Sequence, residues 1–303
     1  MQYIGIDGGG TKTKFTLFDE DMKEIDSYKM PSCHFAQVGY QRMEEMLKEG
    51  IHTLATRYHL KSYGIGFGLA GYGQEKEIRE RMESIIERVS DGHPYLLIND
   101  VESALAGALA LQDGIMIIAG TGSIAFGVHG KERFRCGGWG YQIGDEGSAW
   151  WLGKRALETF GKQADGRYDK SVFYEIMMKH ANLSKDYDMI SYVRDVCGNK
   201  RDKIAQMALL LYEAACQKDS YAISIYEEAA SELSMLVETI RKRLFPNTDH
   251  VPVSYVGGVF QAGKYIIEPL TNKLSRHCEL HEPIYGPDKG VCLLLKRKME
   301  FEN

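Results

Sequence analysis

The feature that most constrains the fold of this chain is a strand and turn outline that occurs twice. Residues 2–30 read as a strand, a turn of Gly and Thr, a second strand, another turn and a third strand, and residues 114–138 repeat that order. Self-similarity of this kind indicates repeated supersecondary units. A length of 303 residues also favours two domains. We therefore expect two related α/β lobes.

The remaining pattern alternates apolar strands with helices of 3.6-residue period. Residues 146–244 are almost entirely helical in period. The other predicted elements are helices at 40–59, 75–89, 101–111, 262–276 and 287–299, and strands at 63–71, 94–100, 251–260 and 278–282. No Pro/Ser linker or low-complexity segment interrupts the chain. We expect one lobe from residues 1–112 with the C-terminal helix 287–303, and a second lobe with a helical insertion from residues 113–286.

Composition narrows the classes of function. The formal net charge is -5, and no basic block is present that would neutralise nucleic-acid phosphates. No apolar run approaches the roughly 18–20 residues that a membrane-spanning helix needs, and the N-terminus does not resemble a signal peptide. The six cysteines form no Cys-x-x-Cys pair, which disfavours a zinc or iron–sulfur site. The sequence predicts a soluble cytoplasmic protein that binds neither nucleic acid nor membranes.

The first chemical motif is DGGGTKT, from Asp7 to Thr13. A strand that runs into three glycines exposes backbone N–H groups, which suit phosphate oxygens. Asp7 can hold a hydrated Mg²⁺, the metal that accompanies ATP phosphates. The motif is not a Walker A loop, and the strand that follows it argues against a dinucleotide fingerprint. A plain glycine hairpin is the alternative. The candidate nucleotide contacts here are Asp7, Gly9, Gly10, Thr11 and Lys12.

Two further glycine turns follow apolar strands. AGTGS ends with Thr121, Gly122 and Ser123, and its position matches that of the first motif in the repeated outline. Two such turns indicate a phosphate clamp with one turn from each lobe. VGGVF contains Gly257 and Gly258, which would let an adenine ring approach the backbone. Close packing of a strand on a helix is an equally good interpretation of VGGVF.

Asp100 is the candidate catalytic base. It stands where an apolar strand ends and a helix begins, and ligands of open α/β sheets bind at the carboxyl ends of strands. An Asp at this position is also a favoured helix N-cap. As a base, its carboxylate would accept the proton of a substrate hydroxyl that attacks a γ-phosphoryl group. The residues alone leave both roles open.

The segment CGGWGYQIGDEGSAWWLG, residues 136–153, concentrates Gly, Trp and acids before a helix. Trp139 offers an apolar face to a sugar ring. Asp145 and Glu146 are predicted at the start of the helix, where acids interact favourably with the helix dipole. A tight loop with capping acids and core tryptophans is the alternative. Because Gly144 and Gly147 flank Asp145, we favour a ligand-binding role for this residue.

Together these motifs resemble the N-acetylglucosamine kinase branch of the BadF/BadG/BcrA/BcrD ATPase family, within the sugar kinase, Hsp70 and actin superfamily. DGGGTKT and AGTGS resemble its two phosphate motifs, and VGGVF resembles its adenosine motif. CGGWGYQIGDEGSAWWLG is similar to the most distinctive segment of the branch, and the motif order is preserved along nearly the whole chain.

The resemblance implies two ribonuclease-H-like (actin-like ATPase) lobes with a central cleft for ATP, Mg²⁺ and a sugar. It also implies a homodimer. Asp100 matches the catalytic aspartate of the family, and Thr11 and Thr121 match its ATP-phosphate threonines. The matches to the sugar-contacting segment are Gly138, Trp139, Gly140 and Asp145.

One string departs from the family pattern. The loop that contacts the sugar often carries Asn in the family, whereas this chain has PSCHFAQVG. His34 is the candidate sugar contact there, because the neighbouring Cys33 is a poor hydrogen-bond partner. A purely structural His34 is the alternative.

The expected reaction is ATP-dependent phosphorylation of N-acetylglucosamine, or a close amino sugar, at the 6-hydroxyl. Glucosamine, N-acetylmuramic acid and glucose are alternative substrates. A rival function is an ATP-driven activator of a dehydratase-type partner, which would hold an iron–sulfur cluster through paired cysteines, and only Cys136 lies near a suitable loop. A sugar sensor without catalysis is a third alternative, disfavoured by the presence of Asp100.

Overall fold

Two five-stranded mixed sheets organise the chain, one in each of two units. The computed structural model describes residues 1–73, 75–198 and 200–302. Unit 1 consists of the described residues of Met1–Gln112 and Glu282–Asn303, and unit 2 of those of Asp113–His281. The last helix of the chain therefore belongs to the same unit as the first strands.

The elements follow one another closely in both units. The N-terminal part of unit 1 contains β1 (Gln2–Gly8), β2 (Lys12–Phe18), β3 (Glu24–Pro31), α1 (Phe35–Arg57), β4 (Tyr63–Leu69), α2 (Lys76–Ser90), β5 (Tyr95–Asn99) and α3 (Asp100–Ala108). Unit 2 contributes β6 (Gly114–Ala119), β7 (Ser123–His129), β8 (Glu132–Gly137), α4 (Ala149–Ala164), α5 (Val172–His180), α6 (Asp188–Ser191), a π-helical turn (Tyr192–Cys197), α7 (Arg201–Gln206), α8 (Ala208–Cys216), α9 (Ser220–Leu244), β9 (Val251–Val256), a 3-10 turn (Gly258–Ala262), α10 (Lys264–Lys273) and β10 (Cys278–His281). Helix α11 (Pro287–Glu302) completes unit 1.

The two sheets have the same strand order. Unit 1 is ordered β3-β2-β1-β4-β5 and unit 2 is ordered β10-β9-β6-β7-β8. In each, the first three strands form an antiparallel meander, and the later two strands run parallel to the first. The repeated outline predicted from the sequence is confirmed.

Parallel pairing places the functional candidates of each unit at one edge of its sheet. Asp7 in β1 is in register with Gly68 in β4, and Asn99, the last residue of β5, is in register with Leu69. Ile118 in β6 is in register with Val256, the last residue of β9. Because β6 and β9 are parallel, the two turns that follow them lie at the same edge of the unit 2 sheet, where ligands of α/β sheets bind.

A helical pair covers one face of the unit 1 sheet. Helix α1 buries residues spaced three and four apart, among them Met43, Leu47 and Leu54, against the sheet and α2. The helix begins at Phe35 and not at residue 40, and Gly39 interrupts it with a φ of 80°. The N-cap is His34, whose side chain accepts a hydrogen bond from the backbone N–H of Ala36.

Helices α3 and α11 pack together on the other face of this sheet. They approach so closely at Gly290 that a Cβ there would overlap the backbone of Ser103 and Gly107. Close contact of this kind requires glycine at the crossing point. The packing fixes α3, and with it the first residue of that helix, Asp100.

Unit 2 has the larger core, built from its sheet and helices α4, α5, α8, α9 and α10. The predicted helical stretch from residue 146 begins at Ala149, where Ser148 is the N-cap and accepts from the N–H of Trp151. Asp145 and Glu146 therefore precede the helix, and the prediction that they form its first turn is wrong. No helix in the described part of the chain combines the length and apolar character that a membrane crossing requires.

Candidate active site

Asp7 stands at the end of β1 as a half-buried carboxylate among other acids. Its pKa is raised to about 6, chiefly by burial and then by the neighbouring carboxylates of Asp288 and Asp100, while Lys12 and Lys14 oppose the shift. An acid in such surroundings is costly to ionise unless a cation accompanies it. This edge of unit 1 therefore favours binding of a positively charged group.

Asp288 is a member of this acid group that the sequence did not reveal. It lies in the first turn of α11, is buried, and accepts hydrogen bonds from Lys14 Nζ at 2.8 Å and Thr16 Oγ1 at 2.5 Å. Its partners are more than 270 residues away in the chain. An acid after Gly-Pro at the start of a helix is typical of an N-terminal turn, so no local signal distinguishes this one.

The backbone of the first turn, residues 8–12, is held by hydrogen bonds, and its tip is exposed. Gly9 N–H donates to Lys12 O at 3.1 Å, Ser32 Oγ donates to Gly9 O at 2.8 Å, and Gln37 Nε2 donates to Gly10 O at 2.7 Å. Thr11 and Lys12 are exposed. The turn thus presents hydroxyl, ammonium and backbone groups from a fixed support, as phosphate binding requires.

Asp100 is the first residue of α3, but the N-cap of that helix is Asn99. Asn99 Oδ1 accepts from the N–H of Val101 at 2.9 Å, and Asn99 Nδ2 donates to Tyr72 O at 2.6 Å. The alternative in which Asp100 serves as the cap is therefore wrong, although one of its oxygens also accepts from Val101 N–H at 3.0 Å. Capping by Asn99 leaves the Asp100 carboxylate available for another role.

The pKa of Asp100 is raised chiefly by burial, while two backbone N–H groups and nearby His34 lower it. A raised pKa makes a carboxylate a better proton acceptor. The structure also brings Asp100 and His34 close together, although 66 positions separate them in the chain.

His34 Nδ1 accepts the N–H of Ala36 at 3.2 Å. In the neutral ring the proton is then on Nε2, which becomes a donor. Cys33 beside it is buried, and its N–H donates to Thr13 Oγ1 at 2.9 Å. Of the two residues, His34 is therefore the better candidate for a hydrogen bond to a ligand, through Nε2–H.

The second turn, residues 119–123, is tied to the segment before α4. Gly120 N–H donates to Gly122 O at 2.9 Å, Ala149 N–H donates to Gly120 O at 2.8 Å, and Ser123 Oγ donates to Glu146 O at 2.6 Å. Thr121 is exposed at the tip. As in the first turn, side-chain and main-chain hydrogen bonds support the backbone, and the threonine is exposed.

Asp145 is buried directly against the second turn. Its Oδ1 accepts from Ser123 N–H at 3.3 Å, and its Oδ2 accepts from Arg201 Nη2 at 2.6 Å. Its φ of 67° places it in the left-handed region, where Asp is tolerated better than most residues. Asp145 thus contacts the predicted phosphate turn as well as the predicted sugar segment.

Arg201 is the second functional candidate that the sequence did not reveal. It is the first residue of α7, and 56 positions separate it from Asp145. No motif surrounds it, because residues 146–244 read only as helix.

A cavity of about 490 Å³ in unit 2 joins the second turn to the VGGVF segment. Its lining includes Thr121 and Gly258, two of the predicted nucleotide contacts. Gly257 lies so close to Ala119 O that a Cβ would overlap it, and its φ is 123°. The lining residues that the sequence did not single out include Asp202, Gln206, Leu209, Tyr212, Tyr226 and Gln261. Size and lining suit a nucleoside.

The Gly-rich segment after β8 exposes an aromatic face. Trp139 is 67% exposed, and Arg135 lies 5.7 Å from its ring centroid. Gly138 and Gly140 flank it with φ values of 72° and 84°, which favour glycine. An exposed, anchored indole is suited to stacking on a sugar ring.

Metal-binding clusters and disulfides are not found in the described residues. No group of three or more His, Cys, Asp or Glu side chains there could enclose a metal ion. All six cysteines are free thiols in this structure.

The fold, two α/β units with phosphate-type turns at matching sheet edges, is that of an actin-like ATPase of the sugar kinase type. A sequence model of the BadF/BadG/BcrA/BcrD ATPase family matches residues 4–291, and the chain belongs to that family. The resemblance inferred from the motifs is confirmed, and the family implies the use of ATP.

Three similar proteins illustrate the relationship. The N-acetylmuramic acid/N-acetylglucosamine kinase of Clostridium acetobutylicum is 31% identical over 281 residues, covering 91% of each chain. The N-acetyl-D-glucosamine kinase of Dictyostelium discoideum is 27% identical, covering 96% of this chain and 97% of its own. A solved structure from Chromobacterium violaceum, provisionally assigned as an N-acetylglucosamine kinase, superposes with a TM-score of 0.70 at 25% identity, covering 97% and 98% of the two chains.

Proposed function

We propose that this protein is an ATP-dependent kinase that phosphorylates N-acetylglucosamine, or a close amino sugar, at the 6-hydroxyl. The observation that carries the proposal is the pair of Gly/Thr turns, which are held by hydrogen bonds at matching sheet edges. Beside the turn of unit 1 lies Asp100, a half-buried carboxylate that does not serve as the helix N-cap. The relatives from Clostridium acetobutylicum and Dictyostelium discoideum, which are kinases of N-acetylated amino sugars, support phosphorylation of this class of substrate.

Asp100 is the proposed catalytic base. It accepts the proton of the sugar hydroxyl while that oxygen forms a bond to the γ-phosphorus and the bond from phosphorus to the ADP oxygen breaks. His34, through Nε2–H, is the proposed hydrogen-bond donor to the sugar on unit 1. The proposed sugar contacts on unit 2 are Gly138, Trp139, Gly140 and Asp145.

The nucleotide is assigned to the turns and the cavity. On unit 1 the proposed phosphate contacts are Gly9, Gly10, Thr11 and Lys12. On unit 2 they are Thr121, Gly122 and Ser123, with Gly257 and Gly258 beside the adenosine. Backbone N–H and hydroxyl donors fixed in advance stabilise developing charge without reorganisation, which is the main requirement of phosphoryl transfer.

Asp7 is the proposed protein group for Mg²⁺. Magnesium is usually bound through one or two carboxylates together with substrate phosphates, and Asp7 is a carboxylate whose acidic neighbours favour a cation. Asp145 fits this role less well, because Arg201 already neutralises it. When bound, the ion would offset negative charge on the phosphates.

The deciding experiment measures ADP release by the purified protein with Mg-ATP and a panel of sugars. The panel contains N-acetylglucosamine, N-acetylmuramic acid, glucosamine, N-acetylmannosamine and glucose, and the Asp100→Asn variant is the matched control. Strong stimulation of the wild type by an amino sugar, absent from the variant, is the expected result. ATP binding without stimulation by any sugar would contradict the proposal.

A further inference from the structure

Arg201 occupies a position on the second turn that the assigned roles do not use. Its guanidinium lies against Gly122, so closely that a Cβ added to that glycine would overlap it. Its Nη2 donates to Asp145 at 2.6 Å, and Asp145 in turn accepts from the N–H of Ser123. The guanidinium is therefore fixed beside the turn that we propose to bind phosphate.

The hydrogen-bonding capacity of this guanidinium is only partly satisfied. Arginine has five N–H donors. Nε of Arg201 is buried and has no hydrogen-bond partner among the described residues, and the side chain remains 37% exposed. The ion pair with Asp145 therefore does not use the full hydrogen-bonding capacity of Arg201, whose side chain is partly exposed.

The helix that carries Arg201 also borders the nucleoside-sized cavity. Asp202, Ala205 and Gln206 of α7 line it, as does Thr121 of the second turn. Arg201 is the first residue of that helix, at the end where the turn lies. A ligand that filled the cavity and extended along the turn would meet the guanidinium.

We propose that Arg201 binds the β- or γ-phosphate of ATP at the second turn, with Asp145 orienting its guanidinium. This inference rests on the proposed function, since it names a further phosphate contact of the same nucleotide. The planar fork of arginine matches phosphate oxygens and remains charged throughout the reaction. It would supply positive charge on unit 2, as Lys12 does on unit 1.

The test is nucleotide binding by calorimetry, without sugar, for the wild type and Arg201→Gln, using ATP and AMP in parallel. Loss of a charged contact should weaken ATP binding about ten- to a hundredfold. AMP has no β- or γ-phosphate, so its affinity should change less than about twofold on the same reasoning. Arg201→Lys should recover part of the ATP affinity, and the salt dependence of ATP binding should become shallower in Arg201→Gln.

Arg194→Gln is the matched control, because Arg194 is an exposed arginine of the same unit that pairs with its neighbour Asp195. It should bind both nucleotides as the wild type does. Equal ATP affinity in Arg201→Gln and wild type would overturn the inference, as would equal losses for ATP and AMP, which indicate a structural role. Failure of the wild type itself to bind ATP would instead contradict the proposed function.

Discussion

The two units place acids at the same kind of sheet edge in opposite electrostatic surroundings. Asp7 in unit 1 faces two further carboxylates, those of Asp100 and Asp288. Asp145 in unit 2 pairs directly with Arg201. The two units therefore share a fold but differ in the charged groups around these acids. At the edge of unit 1, Lys12 and Lys14 offset only part of the charge of the three carboxylates, so a bound cation would relieve the remainder, whereas Arg201 neutralises the acid of unit 2.

The largest expected effect separates the roles of the acids in catalysis. Asp100→Asn should lower kcat by about a hundredfold or more, because the general base is lost, while ATP binding is retained. Asp145→Asn should lower kcat less, since it removes a positioning group. Steady-state ADP release at saturating ATP measures both. Turnover close to wild type in Asp100→Asn would remove that residue from the mechanism.

Stability should respond with opposite signs to the same substitution in the two units. In chelator at pH 7.5, Asp7→Asn should raise the free energy of unfolding by about 1–3 kcal/mol, because it removes a charge that folding desolvates. Asp145→Asn should lower it by about 1–3 kcal/mol, a value reduced from that of a fully buried pair because the Arg201 side chain is 37% exposed.

Urea unfolding of the two variants beside the wild type measures this difference. Shifts of the same sign would show that the electrostatic contrast between the units is wrong. Addition of Mg²⁺ and ATP should narrow the gap for Asp7→Asn, since the wild type then regains a partner for its carboxylate.

The turns should differ in their tolerance of a single methyl group. Gly122→Ala should cost about 1 kcal/mol, because the new Cβ overlaps the Arg201 guanidinium and forces it away from Asp145. Gly10→Ala should change stability by less than about 0.5 kcal/mol, since a Cβ there meets no atom closer than 4.0 Å. Thermal unfolding compares them, and equal losses would contradict the described packing.

The smallest expected effect on folding concerns Trp139. Because this side chain is 67% exposed, Trp139→Ala should alter stability by less than about 0.5 kcal/mol. Its loss should nevertheless raise the KM for the sugar roughly tenfold, in line with the loss of one aromatic contact. An unchanged KM for the sugar would contradict the proposal that Trp139 contacts the substrate.

Sequence reasoning recovered the elements that local pattern determines. The strand and turn repeat, the two Gly/Thr turns and the helix after Asn99 are encoded in short stretches, so they were predicted near their observed positions. Asp288 and Arg201 were missed because their partners, Lys14 and Asp145, are distant in the chain. Contacts of that kind depend on tertiary packing, which periodicity and motifs do not contain.

Helix boundaries failed for a related reason. Two consecutive residues, Asn99 and Asp100, are both good caps, and the choice between them depends on the contact from Asn99 to Tyr72 O. Likewise, Asp145 was placed in a helix by its acidic character, but its salt bridge to Arg201 holds it in a turn before the helix.

The return of α11 to unit 1 has a consequence for the order in which the protein can form during synthesis. Unit 2 is continuous in the chain, so it can fold as soon as its residues are translated. Unit 1 must wait for α11, which supplies the buried Asp288 and the surface against α3. The strands of unit 1 that precede unit 2 in the chain therefore lack part of their packing surface until α11 is translated, so we expect unit 1 to complete its core after unit 2.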